Sequence, residues 1–228
     1  MRTYLFHLTE VALMPGKRKI LIIDDEELFR KIFSEDLVYC GYTCKSADTP
    51  SEGIRLLKTE KFDLVLLDIL MEPLDGWDTL DLIGNLTQGY ETPVIMVSSK
   101  KMDLLEVVRY GERLFGFMRK PLTREEICAG VFSFFEWYQS LLDIVSKNRR
   151  TNVPEDEILQ WFDLSRQIRV ITDLKEEAAL RCLPDAYRTE EECMIQLTTQ
   201  VEDMVQEKRK LLYELEQKNP VLRTSGKK

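Results

Sequence analysis

The chain of 228 residues has one histidine, His7, and no pair of cysteines at Cys-x-x-Cys spacing. Its five cysteines, at 40, 44, 128, 182 and 193, are an odd set, for which reduced thiols are the expected state. Cys40 and Cys44 with the distant His7 make a poor zinc site. No uninterrupted apolar run is long enough to span a membrane, so no membrane contact is expected. Basic charge is also short: 32 Lys and Arg stand against 40 Asp and Glu, a net charge of −8 that argues against a large nucleic-acid footprint. The C-terminal part lacks the β-alternation of a winged helix, a Gly-x-x-x-x-Gly-Lys-Ser/Thr phosphate loop, a glycine-rich cyclase-like signature and a distinct helix-turn-helix. What survives is a cytoplasmic chain whose partners are proteins, with nucleic acid not expected.

Hydrophobic residues at 44% and charged residues at 32% suit a globular chain with a packed core. Its length fits one domain of ordinary size with an appendage. Residues 1–16 have one early arginine and an apolar stretch broken by His7, Thr9 and Glu10, a poor secretory signal. Met14-Pro15-Gly16 before Lys17-Arg18-Lys19 offers a second translation start, and residues 1–16 are set apart as an N-terminal extension.

The organising stretch is Phe62 to Asp68. Val65, Leu66 and Leu67 in succession suit a strand buried on both faces, and Asp68 is the first charge beyond it. A helix cap is the plain reading of such an aspartate, but Pro73 and Asp75-Gly76 put a turn before the next helical pattern. Around this strand the chain alternates. Ile20–Ile23 reads as the first strand, ending in Asp24-Asp25. Leu28, Ile32, Leu37 and Val38 recur at near-helical spacing up to Gly41. Tyr42–Ser46 is a short second strand, and Thr49-Pro50-Ser51-Glu52 starts a helix with a cap, a first-turn proline and a glutamate in capping-box register. A helix over 76–86, a strand over 93–97 ending at Ser98-Ser99, a helix over 101–110 and a strand over 114–118 follow. Lys120-Pro121 comes next, then Thr123 with Glu126 as another capping box. Five strands alternating with five helices predict an α/β fold with a doubly wound parallel sheet.

In such a sheet Asp24, Asp25, Asp68, Ser98 and Lys120 share the carboxyl-end rim, where ligands bind. Crowded carboxylates repel, and Mg2+, a hard cation taking oxygen ligands, relieves that repulsion. A lysine and a hydroxyl across the cleft suit a phosphoryl oxygen.

These residues and their spacing resemble the receiver domain of two-component response regulators, over roughly 17–146. The resemblance implies a flavodoxin-like receiver in which Asp68 accepts a phosphoryl group from a histidine kinase or phosphotransfer protein. Asp24, Asp25, Asp68 and the backbone carbonyl of Leu70 then bind Mg2+, Lys120 pairs with the phosphoryl group and Ser98 hydrogen-bonds it. Ser98 and Phe117 form the switch. The chain is accordingly not an enzyme in the ordinary sense, but a phosphoacceptor that catalyses its own phosphorylation and dephosphorylation. Three departures concern the kinetics: Glu72 stands where proline is usual, Ser99 where Ala or Gly is usual, and the apolar Leu70 shields the acyl phosphate. A pseudo-receiver and an aspartate-nucleophile phosphatase are the other readings; the latter is disfavoured because no second aspartate lies two residues past Asp68.

Residues 147–228 are expected to form an all-α output or dimerisation region. The fifth helix runs long and apolar, through Ile127, Val131, Phe134, Phe135, Trp137, Tyr138, Leu141, Leu142 and Val145, beyond what one sheet face needs. After Asn152-Val153-Pro154, a helix sets Ile158, Trp161, Phe162, Ser165 and Ile168 on one face. A break at Leu183-Pro184-Asp185 precedes a capping box, Thr189 with Glu192. A heptad-like seam of Met194, Leu197, Val201, Met204, Lys208, Leu211 and Leu215 follows. The expectation is that these helices pack on the fifth helix or on a second copy, giving a homodimer that signals to an unidentified output protein. A DNA-binding transcriptional regulator is the alternative.

Overall fold

The computed structural model describes residues 18–86, 92–100, 102–149, 151–179 and 188–223. Strands β1 (Lys19–Ile23), β2 (Thr43–Ala47), β3 (Leu64–Leu67), β4 (Val94–Ser98) and β5 (Gly116–Arg119) form one sheet in the order β2-β1-β3-β4-β5. Every neighbouring pair is parallel. Helices α1 (Glu27–Tyr39), α2 (Pro50–Thr59), α3 (Gly76–Gly84), α4 (Leu104–Tyr110) and α5 (Arg124–Asn148) alternate with them, completing a doubly wound α/β fold. All four residues of β3 and all five of β4 are buried, which explains their unbroken apolar sequence. The chain winds from β1 out to β2, then returns through β3 towards β5. The β1/β3 boundary is thus the point where winding reverses, and the carboxyl ends of these two strands carry Asp24 and Asp68.

Local capping sets several helix starts. Thr49 accepts a hydrogen bond from Glu52 N at 3.4 Å with Pro50 in the first turn, and Asp75 caps α3 through Asp78 N at 2.8 Å. Thr123 and Glu126 exchange side-chain to backbone bonds at the head of α5. Helix α4 begins at Leu104, later than the expected 101, because Asp103 and Glu106 form a reciprocal capping box there.

In this part of the chain one expected grouping is split and one expectation is corrected. Of the residues whose spacing marked α1, Leu37 is buried together with Phe33 and Asp36, while Leu28, Ile32 and Val38 are exposed. The helix carries two apolar stripes, and the sheet covers the one containing the bulkier ring. Nor are all the thiols reduced, since Cys40 and Cys128 form a disulfide with Cα atoms 6.3 Å apart. Cys40 ends α1 and Cys128 lies in the first turns of α5, and the Arg124 Nε to Asp36 Oδ1 ion pair, 2.6 Å, joins the same two helices. Cys44 is free and half-buried, and burial pushes its thiol up to about 11. The side chains of Cys182 and Cys193 lie outside the described residues.

Among the described residues, the chain forms two compact units, one holding 18–100 and 116–139, the other 102–115 and 140–223. The second contains α4, the end of α5, α6 (Glu155–Ala179), α7 (Arg188–Lys218) and a short 3-10 turn at Pro220–Leu222. Ile158, Trp161 and Phe162 are buried on α6, as their spacing predicts. Helix α7 buries Val201, Val205 and Leu215 and packs on α6 and on α4. Leu211 of the expected seam is exposed. Lys208, expected to loosen the seam, instead pairs with Glu112 just past α4 and donates to Gln167 Oε1 on α6 at 2.8 Å. The buried Arg166 donates to the Leu114 carbonyl at 2.9 Å, and its guanidinium lies 4.8 Å from the Phe115 ring centroid. The partner of the tail helices thus includes α4, a contact the sequence did not suggest. Helix α7 starts at Arg188, so Thr189, expected as its cap, is already helical; the expected break at Leu183-Pro184-Asp185 lies outside the described residues, as do residues 1–16.

Candidate functional site

Backbone hydrogen bonds place the site residues at matching heights along the sheet. Asp24 N donates to the Ala47 carbonyl, Asp68 N to that of Ile23 and Lys120 N to that of Ser98, so the three side chains leave strand ends on the same edge of the sheet. Asp68, Asp24 and Lys120 are 3%, 2% and 3% exposed, while Ser98 is fully buried and Asp25 exposed. One carboxylate oxygen from each of Asp24, Asp25 and Asp68 fits in a group whose members lie within 4.8 Å of one another. The aspartates at both strand ends and the lysine therefore meet where the sequence placed them.

Asp24 and Asp68 each have a defined tether. Asp24 Oδ1 accepts from Glu26 N at 2.9 Å, and the Asp24 carbonyl accepts from Arg30 Nη1 at 2.7 Å, which ties the head of α1 to the end of β1. Asp68 Oδ2 accepts from Leu70 N at 3.1 Å. Asp68 Oδ1, by contrast, is buried and accepts no hydrogen bond; its charged neighbour is Lys120 Nζ at 3.4 Å. Lys120 Nζ is closer to Asp24 Oδ2, at 2.6 Å. Burial pushes the Asp68 carboxyl above the usual carboxylate range, and the Asp24 charge adds to the rise, against the pull of Lys120 and the Ser98 hydroxyl.

An oxygen that is buried, charged and not hydrogen-bonded is costly unless something else satisfies it. A divalent cation bound by carboxylates is such a partner, and the all-oxygen donor set matches Mg2+ rather than a softer metal. The residues present fit the ion.

The other expected residues are placed less centrally. Phe117 is half-buried on β5 beside Met96 of β4, Leu70 is largely exposed, and Ser98 Oγ accepts from Lys100 N at 3.3 Å. Ser99 and Glu72 are exposed, and the Glu72–Pro73 peptide is cis, as is Lys120–Pro121. Gly76, at the start of α3, presses on the backbone of Asp68: a Cβ there would stand 2.2 Å from the Asp68 carbonyl oxygen. The sequence reading passed over Phe29 and Phe33, whose rings lie 4.2 and 6.0 Å from Lys120 Nζ. Their spacing of four within α1 was the available signal.

The structure is thus a doubly wound α/β domain with an acidic group, a lysine and a hydroxyl on its carboxyl rim. Residues 20–132 match the family described as response regulator receiver domain. These residues form a response regulator receiver domain, and the chain carries a helical C-terminal extension beyond it. It is 24% identical over 156 residues to a probable transcriptional regulator, ycf29, of Porphyra purpurea, covering 68% of this chain and 73% of that one. It is 29% identical over 114 residues to the alkaline phosphatase synthesis transcriptional regulatory protein PhoP of Bacillus subtilis, covering 50% of this chain and 47% of PhoP. A CheY-like receiver domain protein from Methanospirillum hungatei JF-1 shares the fold, with a TM-score of 0.50 at 23% identity over 54% of this chain and 98% of that one. Among the described residues, no helix is long and apolar enough to cross a membrane.

Proposed function

We propose that this chain is a phosphoryl-accepting switch. The Asp68 carboxylate attacks the phosphorus of a phosphohistidine on a histidine kinase or phosphotransfer protein, the P–N bond breaks and the histidine leaves. The observation carrying this reading is the buried Asp68 Oδ1, held without a hydrogen bond among Asp24, Asp25 and Lys120. Asp24, Asp25, Asp68 and the Leu70 carbonyl would hold Mg2+, which when bound offsets the charge of the incoming group. Lys120 moves from its carboxylate partners to a phosphoryl oxygen, and Ser98 hydrogen-bonds another. Ser98 and Phe117 then change position together, a two-state element biased by the new charge. Hydrolysis of the acyl phosphate at the same site resets the switch.

The receiver spans 17–146 in this reading, and 147–228 carry the response to an output protein. The full chain acts in the cytoplasm as a homodimer. The partly exposed seam of α7, with Leu211 at its surface, supports the second-copy contact, whereas the apolar residues Ile127, Val131, Phe134, Phe135, Tyr138, Leu141, Leu142 and Val145 of α5 are already buried within one chain. Incubation of the full chain with a small phosphodonor and Mg2+, followed by peptide mapping of the acid-labile label, tests the chemistry. Label on Asp68 is expected.

A second reading rests on the relatives, two of which bear the description of transcriptional regulators. A DNA-binding output is supported if the full chain binds duplex DNA with the steep salt dependence that phosphate contacts impose. The net charge of −8 weighs against it.

A further inference from the structure

The reaction outlined above makes no use of the aromatic rings beside its lysine. Lys120 is 3% exposed, so its ammonium has little access to water. Two anionic oxygens face it, Asp24 Oδ2 at 2.6 Å and Asp68 Oδ1 at 3.4 Å. Its remaining neighbours include the Phe29 ring, with Nζ 4.2 Å from the centroid, and the Phe33 ring at 6.0 Å. An aromatic face is electronegative, and its attraction for a cation grows as water is excluded.

The two rings do different work. Phe33 is buried in the core, whereas Phe29 is only half-buried and stands closer to the ammonium. A residue serving the core alone has no reason to cover the lysine instead. The backbone reinforces the arrangement. Glu26 N, at the cap of α1, and Arg30 Nη1, next to Phe29 on that helix, both bind Asp24, so the fixings that set the metal-side carboxylate also set the height of the Phe29 ring.

We propose that Phe29 is a positioning residue for Lys120. Its ring face holds the ammonium, dry and aimed, at the level of Asp24 and Asp68, and keeps it within reach of a phosphoryl oxygen when the donor arrives. The inference rests on the phosphoacceptor reading of Asp68 and adds the group that orients its lysine.

A fluorinated series tests it, because 4-fluoro-, 3,5-difluoro- and 3,4,5-trifluorophenylalanine at position 29 keep the ring's shape while weakening its face. In the full chain with Mg2+ and acetyl phosphate, the maximal labelling rate should fall with each fluorine, to about three- to tenfold below the parent for the last. Phe29→Tyr should restore near-parent rates, Phe29→Leu should sit at the bottom of the series, and the thermal midpoint should not follow the fluorine count. In a Lys120→Gln background the same series should be flat. Without metal or donor, the Lys120 ε-methylene protons should show a ring-current upfield shift that Phe29→Leu removes. A flat fluorine series in a chain that labels normally, a slope that persists in Lys120→Gln, or no ring-current shift overturns the inference alone. A parent chain that takes no label overturns the phosphoacceptor reading and this inference with it.

Discussion

Lys120 Nζ lies 2.6 Å from Asp24 Oδ2 and 3.4 Å from Asp68 Oδ1, so the lysine sits nearer the carboxylate ending β1 than the one ending β3. It occupies part of the charge field that a divalent cation would otherwise use. Lys120→Ala should therefore leave Mg2+ affinity intact or raise it, while abolishing the conformational response to phosphorylation. Calorimetric Mg2+ titration of the two chains checks this. A collapse of affinity would mean that the lysine orders the aspartates instead of competing for them.

Gly76→Ala tests how tightly the loop after Asp68 is packed. The added Cβ would lie 2.2 Å from the Asp68 carbonyl oxygen and 2.7 Å from Ile69 Cα, both backbone atoms that no rotamer change can move aside. Overpacking of this kind costs about 1–3 kcal/mol. Urea melts should show that loss, and labelling should fall further than stability does, because the displaced backbone carries Asp68. An unchanged labelling rate would show that the loop shifts without disturbing the site.

Glu60 supplies a pH dependence away from the site. Hydrogen bonds from Lys19 and Lys45 hold its carboxyl down, from an ordinary 4.5 to about 2. A depressed folded-state value contributes stability above 4.5 that is lost as the pH falls towards about 2. The gap in thermal midpoint between the parent chain and Glu60→Gln should thus be constant near neutrality, narrow below pH 4.5 and close near pH 2. A gap independent of pH would show that the charge is not what the two lysines recognise.

The Cys40–Cys128 bond closes a loop with a sequence separation of 88. Digestion without reductant should yield a peptide joining Cys40 to Cys128, and Cys40→Ser should lower stability by about 2–4 kcal/mol. Cys44, with its thiol pushed up to about 11, should alkylate slowly in the folded chain at pH 8. Separate Cys40 and Cys128 peptides would contradict the pairing.

What the sequence revealed follows the range of the interactions involved. The apolar run ending at Asp68 and the Thr123/Glu126 cap are local, and both were legible. Asp24, Asp68 and Lys120 could be assigned to one rim because a parallel sheet places all its strand ends together. The buried face of α1 was not legible, since Leu28 and Ile32 form as good a stripe as Phe29 and Phe33, and only the sheet decides between them. The disulfide and the Lys208–Glu112 pair join residues far apart in sequence, with no periodic signal linking them. Helix α4, of 7 residues, is too short to announce a second apolar face for α6 and α7.

The central claim is that Asp68 is the phosphoryl acceptor, and mass measurement of the full chain and Asp68→Asn after treatment with acetyl phosphate and Mg2+ tests it most directly. An amide is a poor nucleophile and lacks the charge that binds metal. The account predicts one added phosphoryl group on the parent chain, dependent on Mg2+ and lost on mild acid or hydroxylamine treatment, and none on Asp68→Asn at equal folded content by circular dichroism. Equal labelling of both chains would contradict it.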